Sequence, residues 1–167
     1  MKETALRWIV LCMALAATGA CSQTPEVDME AEKAQIEEVI KASIGWAQTK
    51  DTDLLYNSFA QDENLFWFTP EAAGTTHGFD SFKKTVENVF LNDAFKAIRF
   101  EVRDLKINLS RSGDVAWYSC MLDDENEWNG LPASWLNVRW TGVLEKREGK
   151  WVIVQMHFSY GQDANGD

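Results

Sequence analysis

The chain has 167 residues, a formal charge of −10 and 46% hydrophobic residues, which fits one globular domain with a terminal extension. Its 16 Lys and Arg lie scattered among 26 Asp and Glu, which excludes a nucleic-acid surface built on clustered cations. Only two histidines, His77 and His157, are present, so no metal site is expected; separately, no cofactor is expected.

The N-terminus reads as a targeting segment. Lys2 and Arg7 make a positive start, Trp8 to Ala17 an apolar stretch, and Thr18-Gly19-Ala20 a run of small residues before Cys21. The uncharged run is too short for a spanning helix of roughly 20 residues. Thr18 to Cys21 resembles the bacterial lipobox, although Leu is usual where Thr18 stands. The resemblance implies cleavage before Cys21, acylation of that cysteine and, with non-acidic Ser22 next, sorting to the outer membrane on its periplasmic side. An ordinary signal peptide releasing a soluble protein is the alternative. The expected organisation is a signal peptide at 1–20, a tether at 21–29, a domain at 30–160 and a flexible tail at 161–167. Cys120 is then the lone cysteine besides Cys21, which leaves no internal disulfide and reads as a small buried hydrophobe.

From Glu30 the apolar period is helical, with Ile36, Val39, Ile40, Ser43 and Ala47 on one stripe and Trp46 at its edge. Asp51-Thr52-Asp53 offers caps for a short second helix. Asn64 to Thr69 reads as a strand, Glu71 to Gly78 as a loop, and Asp80 as the cap of a third helix carrying Phe82, Val86, Val89 and Phe90. Ala97 to Leu109 alternates with period 2, and its apolar parity switches at Arg103-Asp104, which predicts a bulge or bend there. Val115 to Asp123 is the next strand, followed by an acidic loop to Pro132. The order, helices first and long antiparallel strands after, is α+β without βαβ units.

The last strands, Trp135 to Ser159, form a hairpin around Arg147-Glu148-Gly149. A three-residue loop with Gly149 in the left-handed position would pair Lys146 with Lys150 and Arg139 with His157. Strict alternation then sets Trp140, Val152, Val154, Met156 and Phe158 on one face, and Arg139, Thr141, Gln155, His157 and Ser159 on the other.

This order of elements resembles the SnoaL-like branch of the nuclear-transport-factor-2-like superfamily across about Glu30 to Ser159. The residues that carry the resemblance are Gly113 to Trp117, Arg139-Trp140-Thr141 and, above all, Gly149 to Ser159. It implies a conical α+β barrel in which a curved sheet wraps the long first helix and leaves a pocket at its open end. The family's strand position matching His157 usually points into that pocket, and the outer sheet face often forms a dimer. On that guide His157 becomes the candidate base and Arg139 the candidate anion holder. Thr141, Gln155 and Ser159 join them as ligand contacts, the apolar row being covered by a second copy. Physics alone permits the reverse, with the apolar face on the helices and the polar face wet. Trp46, Trp67 and Trp117 are the wall candidates for a flat ligand, though aromatics on sheets are more often core.

The expected function is that of an envelope lipoprotein binding a small organic or anionic ligand in its cone. Two alternatives stay open: a cofactor-independent isomerase, cyclase or hydratase with His157 as base, and a dimeric adaptor whose pocket is vestigial.

Overall fold

The computed structural model describes residues 28–71 and 74–161. The signal segment, Cys21 with its acylation, the tether before residue 28 and the tail after Gly161 lie outside the described residues. Among the described residues no helix is long and apolar enough to cross a membrane.

Helix α1 (Met29–Gly45) begins where the Asp28 carboxylate accepts the N–H groups of Glu30 and Ala31 at 3.2 and 3.1 Å, satisfying donors that have no partner in the first turn. Its buried stripe is Ile36, Ile40 and Ser43, spaced to face one side. A 3₁₀ turn, Trp46–Gln48, leads to α2 (Thr52–Asn57), which Asp51 caps through the Leu54 N–H at 3.0 Å. Strands β1 (Phe66–Phe68) and β2 (Thr76–His77) follow, then α3 (Phe79–Thr85) and a π-helical turn, Val86–Phe90. The cap of α3 is Gly78, not Asp80: its φ of +75° suits a residue without a side chain, and the helix starts one residue before Asp80.

Strands β3 (Phe95–Leu109), β4 (Val115–Trp128), β5 (Leu131–Pro132), β6 (Trp135–Arg147) and β7 (Lys150–Ser159) complete one sheet in the order β2-β1-β7-β6-β4-β3. Strand β1 runs parallel to β7, and β5 pairs with β4. The α+β class and the curled sheet around an N-terminal helix match the cone implied by the sequence. The bulge at Arg103-Asp104 is present: the register shifts between Arg103 and Lys106, and Asp104 has a φ of +54°. A second shift between Ala97 and Arg99 turns Ile98 outward, against the expected alternation.

Two features of the hairpin differ from the sequence reading. Arg147 pairs with Lys150, so the loop has two residues, Glu148 and Gly149, at φ +50° and +80°. Positive φ at both positions is the geometry that matches strand twist in a tight hairpin. Further along, Leu144 pairs with Ile153 but Val143 pairs with Gln155, leaving Val154 as an extra residue in β7. That bulge inverts the parity of the strand. Trp151 and Ile153 point inward before it, and Met156 and Phe158 point inward after it. Partners on β6 alternate without interruption, with Val138, Trp140 and Leu144 all buried.

The concave core therefore holds Trp140, Met156 and Phe158, which the family resemblance sends to the convex side. Trp140 lies parallel to Phe158 at 5.4 Å and edge-on to Tyr118 at 5.2 Å. Gly142 leaves room for that packing, since a Cβ there would stand 2.5 Å from Tyr118 Cε1 and 2.7 Å from the Gln155 carbonyl oxygen. Glu32 ties α1 to the hairpin by accepting Lys146 Nζ at 2.5 Å and Trp151 Nε1 at 2.6 Å. Those two bonds hold its carboxyl below the usual range. The stability they supply is therefore present above the ordinary carboxylate pKa and lost as pH falls through the lowered one.

Candidate functional site: an aromatic cone with an acidic wall

The cone encloses a cavity of about 580 Å³, within the range of small-molecule sites. Helix α1 and its 3₁₀ turn contribute Ser43, Ile44, Trp46 and Ala47; β1 brings Trp67; the π-helical turn brings Phe90; β7 brings Met156 and Phe158. The rings form a continuous wall. Trp67 stacks on Phe90 at 6.1 Å and meets Phe158 edge-on at 6.3 Å, Phe90 contacts Phe95 at 5.1 Å, and Phe158 contacts Trp135 at 5.3 Å.

One strand makes the cavity polar. Inward positions on β4 run Ala116, Tyr118, Cys120, Leu122, all buried, and the same parity carries on to Asp124 and Asn126. The strand continues to Trp128, five residues beyond the Asp123 end read from sequence. Asn126 is buried, its Nδ2 donates to the Asp124 backbone carbonyl at 3.3 Å, and its Oδ1 has no partner. Burial pushes the Asp124 carboxyl up to about 6, with the Asn126 amide pulling weakly the other way. At the rim, exposed Glu71 accepts Trp135 Nε1 at 3.2 Å, joining the β1–β2 loop to β6.

Of the residues singled out from sequence, Trp46 and Trp67 line this cavity and the others do not. His157 is exposed on the outer face, where its ring meets Phe68 at 5.5 Å. Arg139 is also exposed, and its guanidinium donates to the Tyr160 carbonyl at 2.5 Å. Thr141 pairs with His157, and Gln155 and Ser159 share that outer side of β7. Trp117 is 48% exposed on the odd, outward parity of β4. The placement of His157, Arg139, Thr141, Gln155, Ser159 and Trp117 around the pocket is thus corrected, and the Val154 bulge accounts for the three on β7. The convex apolar row expected from Trp140, Met156 and Phe158 is corrected too: the apolar side of β6 and of the end of β7 faces the helices, which is the reverse facing that the residue pattern had left open.

Other acidic and reactive side chains are held elsewhere. Asp123 accepts Arg103 at 2.9 Å and the Asn137 N–H at 2.7 Å; Tyr56 packs edge-on to Phe79 at 5.4 Å. Cys120 is buried with its thiol pushed up to about 12 by burial, so no thiolate forms near neutral pH. Asp124 and Asn126 were missed because the Asp- and Glu-rich run looked like a loop. The continuing even parity from Ala116 was the signal available in the sequence.

A conical sheet closed on a long helix, with an apolar cavity and a polar strand inside it, defines the class of small-molecule-pocket α+β domains to which this chain conforms. The SnoaL-like domain profile matches residues 36–163, and the chain belongs to that family. No curated protein matches it in sequence. Among solved structures it is similar to a nuclear-transport-factor-2-like superfamily protein from Salmonella enterica serovar Typhimurium (18% identity, TM-score 0.70, 81% of this chain and 95% of that one). A second is a Streptomyces avermitilis protein of the same superfamily, provisionally named a dehydratase (14% identity, TM-score 0.65, 80% and 99%). A third, from Shewanella frigidimarina, is provisionally named a ketosteroid isomerase (19% identity, TM-score 0.57, 77% and 97%).

A carboxyl raised by burial favours the folded state while protonated and penalises it once ionised, so stability should fall as pH rises from about 4 to 6. Holding that charge at pH 7 costs on the order of 2 to 3 kcal/mol. Asp124→Asn should therefore raise the urea-unfolding free energy at pH 7.5 by about 1 to 3 kcal/mol and change little at pH 4. Equal stability of the two proteins at both pH values would contradict the inward, half-buried placement of Asp124.

Proposed function

We propose that the cone is a binding site for a small, largely apolar organic molecule, in a protein anchored to the bacterial envelope through Cys21. The observation that carries the reading is the 580 Å³ cavity itself, walled by aromatic rings and given polarity by the inward Asp124 and Asn126. Neither expected contact for an anion faces it, because Arg139 and His157 stand on the opposite side of the sheet, so the anionic half of the expected ligand class loses its support. Nile red, a neutral dye, should bind with a stoichiometry near one. Ala47→Trp, which fills the cavity from the end of α1, should weaken that binding about tenfold or more, with a cooperative melt retained. His157→Ala and Arg139→Ala should leave it unchanged. Dye binding indifferent to Ala47→Trp would remove the cone from consideration.

Catalysis is a second reading, favoured by Asp124 alone. A half-buried carboxyl with a pKa near 6 on the wall of an aromatic cavity is suited to shuttle a proton between substrate positions, the kind of step that the names of the dehydratase and isomerase relatives suggest. In this reading Asp124, not His157, is the acid–base group, and a pH–rate limb near 6 should disappear in Asp124→Asn.

Anchoring and self-association complete the proposal. Phe68 and Trp117 are 41% and 48% exposed on the convex face, in adjacent rows that run Phe68, His157, Thr141, Ser119 and Phe66, Gln155, Val143, Trp117. Apolar groups in that arrangement suit burial against a second copy. Trp117→Arg should convert a dimer to a monomer by light scattering, and Cys21→Ala should abolish incorporation of labelled palmitate in a bacterial host. A wild-type monomer, or an unlabelled wild type, would discard the respective half.

A further inference from the structure

We propose that the cone selects an organic cation, an amine borne on an aromatic or alicyclic body, over neutral and anionic molecules of the same shape. The inference rests on the cone being a binding site and names the charge of what enters it. Its basis is the balance of donors and acceptors on the wall.

Among the described lining residues there is no Lys, Arg or His, while two carboxylates are present, Asp124 and Glu71. No described cation pairs with Asp124, in contrast to Asp123 one residue earlier, which Arg103 neutralises at 2.9 Å. The neutral groups add acceptors. Asn126 Oδ1 is buried without a donor, and its amide nitrogen is already committed to a backbone carbonyl. The hydroxyls of Ser43, Thr69 and Thr85 donate to the carbonyls of Ile40, Glu71 and Ser81 at 2.7, 3.1 and 3.2 Å. What those hydroxyls present to a ligand is therefore lone pairs. The neutral donors on the wall are the indole N–H groups, of which Trp67 Nε1 is buried without a partner, and the hydroxyls of Thr75 and Thr76 at the β1–β2 loop; none of them carries a charge to offset the two carboxylates.

Each ligand charge meets this wall differently. A carboxylate would face two like charges without a counter-ion, which a low-dielectric site penalises heavily. A neutral molecule would leave Asp124 either protonated or buried without a partner. An ammonium brings several N–H donors to Asp124 and Asn126 and supplies the missing counter-charge. Its positive charge is also drawn to the faces of the surrounding Trp and Phe rings.

Calorimetry at pH 7.5 with three probes on one ring system tests this: 2-(1-naphthyl)ethylamine, 2-(1-naphthyl)ethanol and 3-(1-naphthyl)propionate. The amine should bind about tenfold or more tighter than the propionate, with the alcohol between them. Asp124→Asn should reduce amine affinity by about tenfold while the alcohol stays within about threefold, and Glu71→Gln should reduce it less, since that carboxylate is exposed. Both variants keep the side-chain shape, and a cooperative melt confirms the fold. Equal binding of all three probes, or an amine preference that survives the Asp124→Asn/Glu71→Gln double variant, overturns the inference and leaves the binding site standing. Binding of none of the three, together with indifference of the dye to Ala47→Trp, overturns both.

Discussion

One unpaired residue in the last strand decides what this domain can do. Val154 has no partner on β6, and because side chains alternate along a strand, that insertion exchanges the two faces of everything after it. Without it Trp151 and Ile153 could be buried only by exposing Met156 and Phe158, or the reverse. Burying an apolar side chain of this size is worth about 1.5 to 3 kcal/mol, so either regular register would forfeit several kcal/mol. The bulge lets both pairs face the core and sends Gln155, His157 and Ser159 to the outer face. The same stretch of β7 also receives neighbours on its free side, through the paired backbone of Ser58 to Ala60 with Ile153 and through β1. The local deformation is thus fixed by contacts on both edges.

With the polar end of β7 outside, the character of the cavity falls to β4. That strand keeps one parity from Ala116 to Asn126, so its inward row changes from methyls and rings to a carboxyl and an amide partway along. A carboxyl in such surroundings is uncomfortable on its own, which is why burial drives it toward the neutral form. The neighbouring Asp123, one residue away and on the opposite face, is ion-paired and bonded to a backbone N–H. Two adjacent aspartates are thereby given different work by nothing more than strand alternation. A fold does not by itself set function, so what this chain does has to be argued from the residues on the wall.

The convex face has the opposite balance. It mixes exposed Phe68 and Trp117 with His157, Thr141 and Arg139, and its contacts are short-range: a ring against a ring, a guanidinium on the Tyr160 carbonyl. It offers no enclosed volume among the described residues in which a small molecule could lose its water.

The helical stripe at Ile36, Ile40 and Ser43, the Asp51 cap, the parity switch at Arg103-Asp104 and the α+β order were all legible from residue pattern, because each depends on neighbours a few positions apart. The resemblance of Gly149 to Ser159 to a SnoaL-like closing strand also led to the right family. The facing of that strand was not legible, since it depends on Phe158 stacking on Trp140 and on pairing of Ile153 with a segment almost a hundred residues earlier in the chain. The inward turn of Asp124 and Asn126 was not read from sequence: the even parity from Ala116 was available as a signal, but acidic composition suggested a loop, and pairing with β3 and β6 holds those residues in a strand. Local spacing determined the elements and their order; long-range pairing, through a single extra residue, decided which side chains met the cavity.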